Sequence, residues 1–185
     1  MRLPIYILAL ICITLLSCGE DTLPKPKALL SLDYPKPSYT STHSPCSYSF
    51  QNNTIGDVIF QENCNAVIEY PRLNGTLFLT YRAVNNNINS LLQDAQKPTY
   101  EHTRKADNIL EEKYINDQNK VFGMFYDVSG NAASQSQFYV TDSTKHFITG
   151  SIYFNAKPNY DSIFPAAAYL KNDIRHLMET ITWSK

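Results

Sequence analysis

The chain has 185 residues, with 16 Lys and Arg against 17 Asp and Glu and a formal net charge of −1. That balance, without any polybasic cluster, argues against nucleic acid or anionic headgroups as partners. Apolar residues make up 43% of the chain, enough for the core of one domain and too many for a disordered protein.

The N-terminus reads as an export signal. Arg2 precedes an apolar run from Ile5 to Leu16, which is too short to cross a bilayer as a helix. The run closes on Leu15-Leu16-Ser17-Cys18, which resembles the lipobox of bacterial lipoprotein precursors. Residues 1–17 are therefore expected to be removed as a lipoprotein signal peptide, with Cys18 acylated as the new N-terminus. Two or three acyl chains would hold the protein on a membrane without crossing it.

Residues 18–44 are predicted to be a lipidated tether. Pro24-Lys25-Pro26-Lys27 and Tyr34-Pro35-Lys36-Pro37 favour extended chain, and the run Ser38 to Ser44 is polar. Leu29, Leu30 and Leu32 interrupt it, so part of the tether is able to dock on the domain. Residues 45–185 are expected to form a single α+β domain. Cys46 and Cys64 fall at its start, in a compartment that permits disulfides, and their spacing fits no zinc pattern. They are either bridged, which would contribute ~3 kcal/mol, or two buried thiols.

Strand signals follow at Ser47–Phe50, Gly56–Gln61 and Ala66–Tyr70. Asn74-Gly75 reads as a hairpin turn into Thr76–Arg82, where Leu77, Leu79 and Tyr81 share one face. Ile88, Leu91, Leu92 and Ala95 then recur at helical spacing behind possible caps at Asn86 and Asn87. Pro98 is predicted to break or kink this helix, with Tyr100 to Ala106 forming a second short one.

A four-strand meander is predicted over Leu110–Ile115, Val121–Val128, Gln135–Thr141 and His146–Asn155. The last element is a helix with Ile163, Ala166, Ala167, Leu170, Ile174, Leu177, Met178 and Ile181 on its apolar stripe. Asp161 or Ser162 is its predicted cap, with Pro165 in the first turn. This order spells an α+β fold, an antiparallel sheet of about six or seven strands with helices packed on it. The pattern resembles the Mog1/PsbP-type sandwich.

Motifs for catalysis are absent: there is no HExxH, GxSxG, P-loop or GxGxxG. His43, His102, His146 and His176 are scattered, and Glu101 and His102 are neighbours that point about 100° apart on a helix. Asp107, Glu111 and Glu112 read as a solvated face, Asp127 and Asp142 as strand-end and turn residues. No nucleophile, metal set or cofactor motif emerges, so a non-catalytic protein without cofactors is expected. The small, amide-rich run Gly130–Gln135 has two readings. It is a plain hairpin loop, or a surface where a partner's backbone approaches and Asn131, Ser134 and Gln135 bond to it.

Several longer runs are similar to the gliding motility lipoprotein GldD family. They include Pro24–Ala28, Tyr48–Phe50, Asp94–Lys97, Tyr100–Thr103, Gly130–Ser134, Phe138–Ser143, Pro158–Ile163 and Leu170–Ile174, and Trp183 fits as well. The resemblance spans the mature chain. It implies an envelope lipoprotein of gliding motility and the associated type IX secretion machinery, with no known enzymatic activity. Cys18 matches the family's acylation site, and Cys46 and Cys64 look like shared positions. The implied partners are gliding and secretion envelope proteins, and the implied location is the outer membrane, facing the periplasm. Asp21-Thr22-Leu23 further resembles a bacterial O-glycosylation motif, which makes Thr22 a candidate glycan site. Two function classes follow: an interaction protein of that machinery, or an envelope binder of, or enzyme for, a small ligand such as a glycan or lipid.

Overall fold

The computed structural model describes residues 34–101, 106–156 and 160–184. Cys18, Thr22 and the Pro24–Lys27 repeat lie outside the described residues.

In chain order the strands and helices are β1 (Tyr39–His43), β2 (Tyr48–Asn53), β3 (Asp57–Phe60), β4 (Ala66–Tyr70), β5 (Gly75–Ala83) and α1 (Ile88–Glu101). They continue as β6 (Ala106–Asn116), β7 (Val121–Gly130), β8 (Ser136–Thr141), β9 (His146–Phe154), α2 (Tyr160–Glu179) and β10 (Thr182–Trp183). Seven strands form one antiparallel sheet in the order β3-β4-β5-β9-β8-β7-β6, and β1-β2-β10 form a second of three. This is the α+β class expected from the sequence.

Period-two alternation decides which side of the large sheet is the core. Leu77 and Leu79 on β5, Phe138 and Val140 on β8, and Ile148 and Ile152 on β9 share one face and are buried. Against them pack Leu170, Ile174, Leu177 and Met178 of α2, with Tyr48 and Phe50 of the small sheet. Each such side chain contributes about 1.5–3 kcal/mol by leaving water. Helix α1 covers part of the opposite face, so the large sheet lies between two helices. Cys46 and Cys64 are bonded, with Cα atoms 5.7 Å apart. The bridge ties the segment before β2 in the small sheet to the turn before β4 in the large one.

Four sequence expectations are corrected. The folded body begins upstream of Pro45, because Tyr39–His43, assigned to the tether, pairs along β2. The strand is anchored by distant partners: the Tyr39 hydroxyl donates to Asp173 at 2.9 Å, and its ring stacks on His176 at 3.7 Å. Upstream, Tyr34 stacks on Tyr169, whose hydroxyl donates to the Pro35 carbonyl at 2.9 Å. Second, the β4–β5 turn is Pro71–Leu73 with Asn74 left-handed at φ 49°, and Gly75 already pairs with Tyr70. Third, α1 runs through Pro98 to Glu101, and the chain is a strand again at Ala106, so no second helix occupies the described part of Tyr100–Ala106. Fourth, α2 starts at Tyr160, which puts Asp161 and Ser162 inside the helix and Pro165 beyond its first turn.

Candidate functional site

The loop singled out in the sequence is turned inward. Ser134 is buried and its hydroxyl donates to the Ser136 carbonyl at 3.2 Å. Gln135 is buried too, its amide nitrogen donating to the Ala132 carbonyl at 2.8 Å. Neither side chain is available to a surface partner, which corrects that expectation. Asn131 stays exposed, but its Oδ1 accepts the Tyr160 N–H at 3.0 Å and so holds the first turn of α2. Gly130 at φ +96° lets the strand bend into this loop.

The ionisable groups are also absorbed into structure. Glu112 takes a two-pronged ion pair from Arg175 at 2.6 and 2.8 Å, which lowers its pKa, and the same guanidinium lies 4.4 Å over Phe125. Asp127 pairs with Lys171 at 2.8 Å, and Glu111 accepts the Tyr100 hydroxyl at 2.7 Å. His146 bonds Tyr81 through Nδ1 at 2.8 Å and stacks on Trp183. Burial lowers its pKa. No group of three or more His, Cys, Asp or Glu among the described residues could hold a metal. No helix among them is long and apolar enough to cross a membrane.

Asp142 organises the β8–β9 turn. Its carboxylate accepts the N–H groups of Thr144, Lys145 and His146 at 2.8–2.9 Å and the Thr144 hydroxyl at 2.9 Å. Burial opposes the charge, but these donors outweigh it and hold the pKa down to about 2. The folded value lies below the ordinary one of 3.8, so the stabilisation is complete above that value and fades as pH falls through about 2. Asp142→Ala is expected to cost about 1–2 kcal/mol at neutral pH, allowing for solvent screening at this part-exposed turn. Thermal melts of both proteins should converge near pH 2; a gap unchanged with pH would contradict this account.

Two features remain on the sheet face opposite the core, and one register row joins them. Ile59, Val67, Phe78, Ser151, Gln137 and Tyr126 are successive partners from β3 across to β7. At the β3 end Ile59 is 47% and Phe78 45% exposed on either side of the buried Val67, with Tyr153 (39%) meeting Phe78 edge to face at 5.8 Å. These make an apolar patch on an outward sheet face.

At the other end α1 roofs the row and leaves a cleft of about 260 Å³. Its floor is Gln137, Ser151, Thr149 and Thr80, with the Tyr126 and Phe147 rings beside them. Leu91, Ala95 and Pro98 form the roof, and Arg82 and Asp94 line it from exposed positions. Gln137 is 4% exposed, and its Oε1 accepts the hydroxyl of buried Thr99 at 3.2 Å. Its Nε2 has no partner. An unpaired buried donor costs about 1–3 kcal/mol, a penalty that an apolar residue at this position would avoid. Burial raises the Tyr126 phenol far above its usual pKa, so that hydroxyl stays neutral.

The model of the family described as gliding motility lipoprotein GldD matches residues 19–183. The chain belongs to that family. A comparison with curated proteins finds no match. Membership makes the chain a gliding motility lipoprotein, a membrane-anchored protein of the cell envelope associated with the motility machinery. The region matched takes in the apolar patch and the cleft, and reaches back to the residue after Cys18.

Proposed function

We propose that this motility lipoprotein is a non-catalytic docking protein, which supports assembly or function of the gliding and type IX secretion machinery through protein–protein contacts. Family membership carries the reading. The patch of Ile59, Phe78 and Tyr153 supplies its surface, because three large apolar side chains are held outward by rigid strands and covered by no other element among the described residues. In this reading Cys18 is acylated, the protein faces the periplasm from the outer membrane, and Thr22 carries a glycan on the segment ahead of the domain.

A photo-crosslinking residue placed at Phe78 in living cells tests the surface, with the exposed turn residue Asn119 as control position and Cys18→Ala as control for anchoring. Crosslinks to gliding or secretion components are expected from Phe78, and not from Asn119. Phe78→Ser is expected to leave the melting temperature close to wild type and to abolish gliding. Full gliding by a stable Phe78→Ser protein would reject the patch as the docking surface.

A further inference from the structure

We propose that the cleft beneath α1 is a binding site for a neutral, hydroxyl-rich small molecule about the size of one sugar ring. The inference goes beyond the docking role above and rests on a different part of the sheet face.

The orphaned Gln137 amide is the first observation. Thr99 holds one end of that amide from inside the fold, so the side chain is not free to swing out to water, and Gln137 is one of the residues that line the cleft. Whichever way the amide is turned, Thr99 satisfies one of its two atoms and the other awaits a partner.

Size separates this orphan from the second one among the described residues. Gln135 Oε1 is also unpaired, but the space beside Gln135 is about 50 Å³, which suits a water or two at ~30 Å³ each. The cleft at Gln137 is about 260 Å³, far more than one bridging water fills.

The lining then selects the ligand chemistry. Thr80, Thr149 and Ser151 present hydroxyls from neighbouring strands, each able to donate and accept. Phe147 and the roof residues supply apolar surface for the C–H faces of a ring. A fatty chain would bury those hydroxyls and the amide without partners, which disfavours it. Arg82 and Asp94 contribute one charge of each sign, so no net charge selects an anion or a cation. A saturated ring with equatorial hydroxyls and an acetamido group meets all of these demands: its carbonyl accepts from the Gln137 amide nitrogen, or its N–H donates to the amide oxygen when the amide is turned, and the ring hydroxyls exchange bonds with the threonine and serine floor.

Saturation-transfer NMR on the full chain in lipid nanodiscs tests the site, with N-acetylglucosamine, glucose and decanoate as probes. Saturable binding of N-acetylglucosamine in the millimolar range is expected, with glucose weaker and decanoate silent. Gln137→Leu removes the orphaned donor and should weaken binding at least tenfold. Ala95→Phe fills the cleft from the roof without touching the sheet, and should abolish binding in a protein that still melts cooperatively. No saturable signal from either sugar up to about 50 mM would overturn the proposal. Binding that both variants leave unchanged, or decanoate that competes for the site, would overturn it equally.

Discussion

Replacing Gly123 with alanine is expected to destabilise the domain by about 3 kcal/mol and to lower its melting temperature by about 10 °C. Gly123 sits on β7 between Tyr114 of β6 and Val140 of β8. A Cβ there would collide with the backbone carbonyl oxygen of Tyr139 and lie 2.9 Å from a Val140 methyl. The obstacle is the neighbouring strand itself, so no rotamer change relieves it and β7 must separate from β8. Gly150 offers a comparison: a methyl there meets the buried Phe138 ring, and a ring tilts more readily than a strand moves. Denaturant melts of the two alanine variants should therefore rank Gly123 as the costlier. A Gly123→Ala protein within about 0.5 kcal/mol of wild type would show that the two backbones do not approach this closely.

Loss of the Cys46–Cys64 bridge has an effect of similar size. The cysteines are 18 residues apart, and closing a loop of that length stabilises by ~3 kcal/mol in the chain-entropy model. Both side chains also pack on the core, and the Tyr48 hydroxyl donates to the Cys64 carbonyl at 2.8 Å. Reductant should lower the melting temperature of the wild type by about 10 °C and leave a Cys46→Ser, Cys64→Ser double variant unmoved. Each single serine variant should melt near the double one, since either change removes the bond. A wild type whose melting is unchanged after mass spectrometry confirms reduction would contradict the estimate.

The elements read most clearly from the sequence are those whose burial is local and periodic. The stripe from Ala167 to Met178 marks α2 because each apolar residue recurs where a helix turns back to the core. The strands of the meander are legible because they are rich in aromatic and β-branched residues, among them the buried Phe125, Phe138, Val140 and Ile148. Strand β1 is different. Tyr39–His43 has no buried residue and is held by a ladder to β2 and by contacts to Asp173 and His176, more than a hundred positions away. No local window contains that information. Pro98 misleads for a related reason: it costs α1 one hydrogen bond, but tertiary contacts such as buried Thr99 on Gln137 carry the helix past it. The cleft is the least legible feature. Gln137, Ser151 and Thr80 look like ordinary strand residues, and only the antiparallel register sets them side by side.

The small sheet has a mechanical consequence. Strands β1 and β10 flank β2 and both run antiparallel to it, so they run parallel to each other. The chain enters β1 opposite Asn53 and leaves β10 opposite Tyr48, at the two far ends of β2. Tension applied to the two ends of the domain therefore pulls β1 and β10 in opposite senses along their own axes. Ladder hydrogen bonds stand perpendicular to that direction and share the load at once, where peeling would break them one by one. Tension borne between Tyr39 and Trp183 is thus carried in shear by the small sheet, and the large sheet with its patch and cleft lies outside that load path.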